Sequence, residues 1–296
     1  MRKNPMTAIT GLVMKNRAEL KKQQITNISP IKTEEISIVI PVKNNQHGID
    51  NLLESIFISH EKKDYPREII IVDNNEKLCT KIRSQFLERG IEIKLFHCKT
   101  EGPGNARNVG WKRSKGKWIF FTDSDCVMTK SSIRGFLEAQ NGSIGYAGNV
   151  KSVEKGPVSS YYDTQQILIP LQNEFEEPEY LITANSLVYR EALLKVNGFN
   201  PKIRIAAGED VDLGIRLRNH GKLTFCKNAI VMHNFDESIE DFKKRFIRYG
   251  KGNRIISELY DIDLSPKPFV PAVVNSTNNY LSGMQFHYLR KGYESS

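Results

Sequence analysis

Chemistry in this 296-residue chain points first to carboxylates that close apolar runs. Asp73 ends EIIIVD, Asp123-Ser124-Asp125 follows the run WIFFT, and Glu209-Asp210-Val211-Asp212 follows Gly208. A carboxylate at the C-terminal end of a strand can accept from a nucleobase N–H or a ribose hydroxyl; Asp73 equally suits an Asx turn with Asn74 and Asn75. In an extended segment, side chains two apart point the same way. Asp123 and Asp125 can then face one hard divalent cation, Mg2+ or Mn2+, which takes one or two carboxylates plus phosphate oxygens from a substrate. The alternative is a loop in which Ser124 or Asp125 caps the next helix. The acids at 209–212 open a helical segment, where the helix dipole favours them. One of them can also serve as general base toward an attacking hydroxyl. Residues two apart on a helix point about 200° from each other, so Asp210 and Asp212 cannot both face one substrate.

Arg107 and Asn108 sit in GPGNARNVG near a helix start, where a tight turn and free N–H groups suit an anion. Arg107 can neutralise phosphate or brace the acidic loop. His233 ends the run AIVMH and is either a metal ligand or a hydrogen-bonded histidine. Cys126, beside the acidic pair, reads as a small core residue.

The elements that must carry these residues follow from hydrophobic pattern. ISIVIPV (36–42), EIIIVD (68–73), IEIKLFH (91–97) and KWIFFTD (117–123) are short, continuous and rich in Ile and Val, as strands buried on both faces are. Helix-like segments at 48–59, 76–89 and 104–115 lie between them, which predicts βαβ units and a mostly parallel sheet. Loops at the C-terminal ends of such strands bind ligands. Residues 154–180, with three prolines and EFEEPE, read as a connection holding one short helix. A strand at 181–189, helices at 190–196 and 209–220, two short strands at 222–226 and 229–233, and a helix from Ile239 to Leu259 complete the pattern. No element is assigned after Ser265.

The formal charge is +9, from 43 Lys and Arg against 34 Asp and Glu. Residues 1–32 hold seven of the cations against Glu19 alone, so only +3 belongs to the rest. Inside that remainder, 107–117 carries five cations and 243–254 carries six, with no anion in either. No apolar run approaches the roughly 18 residues that span a bilayer, and the N-terminus lacks the continuous apolar stretch and cleavage site of a signal peptide. Cys79, Cys98, Cys126 and Cys226 form no CxxC pair, which fits a reducing cytoplasm. Residues 1–34 are expected to form a basic extension, 35–264 a single catalytic domain (35–150 and 151–264 as its halves), and 265–296 a tail.

In order and spacing, ISIVIPVKNN, IVDNN, GPGNARNVGWKRSKGKWIFFTDSDC, TANSLVYREALLKVNGFN, AAGEDVDLGIRLRNHG and AIVMHN together resemble the family 2 glycosyltransferases, over about Ile36 to Arg254. The resemblance implies an α/β fold of GT-A type with a Rossmann-like sheet flanked by helices. It also implies a nucleoside diphosphate sugar donor, with UDP favoured by family frequency, a divalent metal, and inverting transfer in a single displacement. Carried over by position, Pro41, Val42 and Asp73 would hold the nucleoside. Arg107, Asp123 and Ser124 would lie at the donor, and Asp125, Asp123 and His233 at the metal. Asp210 would be the base, with Glu209 beside it. Lys43, Ala184 and Asn197 depart from the family's usual aromatic and glycines.

Two other classes fit the residues less well. A nucleotidyltransferase follows its first strand with a Gly-rich phosphate loop, whereas here that strand runs into PVKNN. A non-catalytic sugar-nucleotide or nucleic-acid binder has no need of both acidic clusters, which would repel a nucleic-acid backbone, and no nucleic-acid motif is present. The expected partners are a nucleotide sugar and a glycan, lipid-linked or peptide acceptor, without nucleic acid. The basic segments would serve an anionic donor, or peripheral contact at the inner face of a membrane.

Overall fold

The computed structural model describes residues 24–295 apart from 62–63, 75–82 and 89. Strands β1 (Ile36–Val42), β2 (Glu68–Asp73) and β4 (Trp118–Thr122) are buried along their whole length, as their unbroken apolar runs require. With β3 (Glu92–His97) they form a parallel unit in the order β3-β2-β1-β4. Helices α1 (Gln46–Ser59), α2 (Arg83–Glu88) and α3 (Pro103–Arg113) make the crossovers. The earlier part of the predicted 76–89 helix lies outside the described residues. Because the chain steps outward from β1 to β3 and then returns to the other side of β1, the strand order reverses between β1 and β4. Ligands of open α/β sheets bind at such a reversal.

The second half extends the same sheet. Strands β5 (Cys126–Met128), β6 (Gly145–Ser152), β7 (Asn185–Tyr189) and β8 (Leu223–His233) complete the order β3-β2-β1-β4-β7-β6-β8-β5. β7 runs antiparallel between β4 and β6, β6 and β8 are parallel, and β5 returns antiparallel along β8. The two strands expected at 222–226 and 229–233 are one: β8 continues through a register shift against Gly148 and Asn149. The Asn185 amide donates there to the carbonyls of Asn149 and Ala229. β5, β6 and helix α4 (Ser131–Glu138) carried no sequence assignment, since β5 is three residues long and β6 is rich in glycine and polar residues. The connection at 154–180 does hold one helix, α5 (Pro157–Gln165).

Helices α6 (Arg190–Lys195), α7 (Glu209–Arg218) and α8 (Ile239–Tyr260) lie where the sequence put them. The unassigned tail contains a further helix, α9 (Ser276–Glu294), packed on α8. A Cβ at Gly250 would lie 2.1 Å from the Leu289 carbonyl oxygen, and one at Gly292 2.0 Å from that of Ile247, so the two backbones meet through bare glycines. Of the N-terminal extension, residues 1–23 lie outside the described part. From Gln24 onward it is packed: Ile31 is buried, its N–H donates to the Gln140 side chain, and Trp118 donates to the Pro30 carbonyl. No described helix is long and apolar enough to cross a membrane.

Candidate active site

One cavity of about 1120 Å3 opens at the strand reversal, and most of the sequence-derived candidates line it. Pro41 and Val42 reach it from the end of β1, and Arg107 reaches it from α3. Gly102, the residue before α3, has φ 104°, and a Cβ there would stand 2.9 Å from the Arg204 backbone, so this turn requires glycine. Asn108 fixes the other side of the turn, exchanging hydrogen bonds with the N–H and C=O of Phe199 at 2.9 and 2.8 Å.

Arg107 is 3% exposed and joins two acidic clusters that are far apart in sequence. Its Nη2 donates to Asp123 Oδ1 at 2.6 Å and its Nη1 to Glu209 Oε1 at 3.0 Å. Burial opposes the guanidinium charge, and Asp123, Glu209 and Asp210 outweigh that cost, raising its pKa. Glu209 is pushed up to about 7 by burial and by Asp210, against the pull of Arg107. Among the described residues its Oε2 has no hydrogen-bond partner. The guanidinium is thus bonded to the acidic loop itself through Asp123.

Asp123 and Asp125 both line the cavity, but not from an extended segment: β4 ends at Thr122, and Ser124 and Asp125 form a turn, so the two carboxylates have different protein partners. Asp123 turns to Arg107, while Asp125 Oδ1 lies 3.5 Å from His233 Nε2. Pairing of β5 with β8 sets Cys126 opposite His233, and the Asn234 N–H donates to the Asp125 carbonyl. Ser124 anchors the turn: Asn45, the N-cap of α1, donates to its Oγ at 3.0 Å.

Asp125, Cys126 and His233 are the described residues close enough together to hold a metal ion. Their chemistry fits a hard divalent cation at two of the three. Asp125 is 42% exposed toward the cavity. Burial lowers the His233 pKa, keeping the imidazole neutral and able to ligate, and its Nδ1 has no partner among the described residues. The Cys126 thiol is driven well above its ordinary range by burial. It remains protonated and belongs to the core, as expected from sequence.

Asp210 and Asp212 part as the helical geometry demands. Asp210 lines the cavity; its carboxylate accepts from the Val211 N–H at 2.9 Å and the Thr183 N–H at 3.4 Å. Burial raises its pKa, with Arg107 opposing, so it is a stronger base than a solvated aspartate. Asp212 is buried on the other side, bonded to Arg216 and to the Tyr260 hydroxyl. Gly208, at φ 87°, starts α7; a Cβ there would stand 3.2 Å from the Gly252 carbonyl oxygen.

Asp73 is buried beside Val42 in the β1–β2 register and does not line the cavity, where Asn74 and Lys43 do. Of the basic run 107–117 only Arg107 lines it; Lys117 pairs with Glu35, and Arg113 lies over the Phe96 ring. The run 243–254 contributes Arg245 and Arg248, three residues apart on α8. The segment after Leu264, with no recognisable sequence signal, forms part of the wall.

Comparison with known proteins bears on the family and the fold. Residues 37–195 match the model of Glycosyl transferase family 2, and residues 118–291 that of Glycosyl transferase family group 2. The pre-mycofactocin glycosyltransferase of Mycobacterium tuberculosis is 28% identical over 231 residues, covering 73% of this chain and 46% of that protein. A Pyrobaculum calidifontis mannosyltransferase, solved with GDP-Man and Mn2+, aligns with TM-score 0.52 at 14% identity, over 97% of this chain and 84% of that one. Staphylococcus aureus TarS 1–349 with UDP aligns with TM-score 0.51 at 18% identity, over 76% of this chain and 70% of that one. The chain spans 20% of the length of one curated relative and 46% of another. The fold is the α/β arrangement of the GT-A glycosyltransferases.

Proposed function

The chain belongs to glycosyl transferase family 2, and from that premise we propose that it transfers a sugar from a nucleoside diphosphate sugar to an acceptor hydroxyl, with inversion. Pro41, Val42 and Asp73 form the nucleoside end. Asp123 and Ser124 form the loop at the ribose and phosphates, held by Arg107. Asp125 and His233 are the metal ligands, and a divalent cation held there supplies positive charge toward the phosphate oxygens of the leaving group. Asp210 takes the proton from the acceptor hydroxyl as that oxygen attacks the anomeric carbon. Glu209 is a positioning residue, holding Arg107 and through it Asp123.

The observation that carries this reading is the shared cavity: a carboxylate of raised basicity, Asp210, opens on the same space as the Asp125–His233 pair. UDP in TarS and GDP-Man with Mn2+ in the mannosyltransferase make UDP- and GDP-sugars the first donors to test. The acceptor hydroxyl belongs to a glycan, a lipid-linked group or a peptide. The reading includes a cytoplasmic location with peripheral membrane contact through the basic segments.

A donor panel read by nucleotide release, with Mg2+ or Mn2+, tests the reading. Purified protein should bind and slowly hydrolyse one donor, and chelation should abolish release. Asp210→Asn should abolish transfer and leave donor binding largely intact. Absence of binding and turnover across the panel, with chelation changing nothing, ends the transferase reading.

A further inference from the structure

We infer that the acceptor carries its reacting hydroxyl on an apolar body, a hydrocarbon chain or an arene, that packs against a proline-rich strap beside Asp210. The inference rests on the transferase reading and names its acceptor chemistry. The cavity is not uniform in its lining. At the strand ends it is polar, lined by Lys43, Asn74, Asp123 and Asp125. Around Asp210 the wall changes character. The carboxylate is bonded to Val211 and Thr183, and the neighbouring lining residues are Tyr180, Ile182 and Ile256. Tyr180, Val211 and Ile256 belong to one apolar cluster that also contains Leu264, where the strap begins.

The strap carries that apolar surface to the cavity mouth. Pro266, Pro268, Phe269, Val270 and Pro271 line the cavity. Val270 is nevertheless 77% exposed, and Val274 beyond it 66%. The strap is tied at its ends, by the Leu264 N–H to Ser257 Oγ at 3.1 Å and by Asn278 Nδ2 to the Val273 carbonyl at 2.8 Å. Between residues 266 and 272 no backbone hydrogen bond to the rest of the molecule is found among the described residues. Three prolines stiffen the segment instead, each fixing φ and lacking an N–H. The one ionisable side chain in 264–275, Lys267, is 69% exposed and paired with Asp263 at 3.1 Å. A glycan acceptor needs side-chain donors and acceptors along its path; residues 266–272 offer it only Lys267, while the cavity's Arg245, Arg248 and Asn253 come from α8. An apolar body fits the strap.

The step balances simply. The acceptor O–H gives its proton to Asp210, its oxygen bonds to the anomeric carbon, and the bond from that carbon to the diphosphate oxygen breaks, its electron pair leaving with the nucleoside diphosphate.

Simple alcohols test the inference without knowledge of the natural acceptor. The full chain is given a donor that it hydrolyses, with methanol, butanol, hexanol or benzyl alcohol at equal concentration, and the ratio of alkyl glycoside to free sugar is read by mass spectrometry. That ratio should rise by up to about fourfold per methylene, levelling where the chain outgrows the cavity. Phe269→Ser with Val270→Ser should flatten the rise, and Phe269→Leu with native Val270 should restore it; because each ratio is internal to one variant, partial loss of folded protein does not affect it. A parallel arm presents hexadecanol in phosphatidylcholine vesicles. Glycosylation there, with free hexanol ignored, assigns the apolar body to a membrane lipid; use of free hexanol and benzyl alcohol assigns it to a soluble acceptor. If methanol and hexanol partition alike, and hexadecanol is untouched while nucleotide release continues, the acceptor inference is wrong and the transferase reading stands. If no donor is hydrolysed, both fall.

Discussion

Replacing Arg107 with methionine should destabilise the protein by an amount that grows with pH. The guanidinium is 3% exposed and pairs with Asp123 at 2.6 Å and Glu209 at 3.0 Å. Stripping a buried charge of its partner costs about 3–5 kcal/mol, but a carboxyl escapes part of that cost by keeping its proton. Glu209 is already raised from 4.5 to about 7, by burial first and Asp210 next, while Arg107 pulls it down. A raised carboxyl means that the folded state holds a proton the unfolded chain has released. Stability from this group is therefore lost as pH climbs from about 4.5 to about 7, and no further slope follows once both states are ionised. Without Arg107 the folded-state value moves higher, and the window of loss extends above pH 7. The penalty of Arg107→Met should then grow by up to about 1.4 kcal/mol per pH unit, nearly 3 kcal/mol between pH 7 and 9. Urea unfolding at intervals of one pH unit from 6 to 9, in chelator, measures it. Adding Glu209→Gln should remove at least half of the slope; Asp210, which Arg107 also steadies, accounts for the remainder. A penalty that is flat from pH 7 to 9, or a slope unchanged by Glu209→Gln, would refute the claim that Arg107 restrains the rise in the Glu209 pKa.

Other perturbations separate structure from chemistry. Asp212→Asn should cost about 1–3 kcal/mol, because it weakens buried bonds to Arg216 and Tyr260, yet leave any transfer rate within about twofold, read on protein still folded at the assay temperature. His233→Ala should raise the metal concentration for half-maximal turnover by at least about tenfold, without a comparable fall in melting temperature. Removing residues 1–23 should leave nucleotide release intact. Cutting back to residue 32 also strips the buried Ile31 and the Pro30 carbonyl that Trp118 reaches, and should lower stability by about 1.5–3 kcal/mol.

Much of this protein was legible in its sequence because the signals are local. Ile- and Val-rich runs declare strands buried on both faces, and strands alternating with helices declare a parallel sheet. A helix turns by 100° per residue, so opposite orientations for Asp210 and Asp212 followed without coordinates. Strand-end positions for Pro41, Asp73 and His233, and placement of Glu209 at a helix start, were equally readable. What only the tertiary structure decided concerns partners distant in sequence. Nothing in GPGNARNVG says that Arg107 bridges Asp123 to Glu209, 102 residues away. Whether DSD is extended or turned depends on where β4 stops, and the turn is what sends Asp123 to Arg107 and Asp125 to His233. The tail shows the same limit most clearly. Prolines conceal any periodic pattern in 265–271, and a helix whose contact face depends on Gly292 gives little amphipathic signal. Its place against Gly250 of α8, and the apolar wall beside Asp210, arise only when the two backbones meet. Periodicity is a property of the chain; the pairing of charges and the lining of a cavity are properties of its closure.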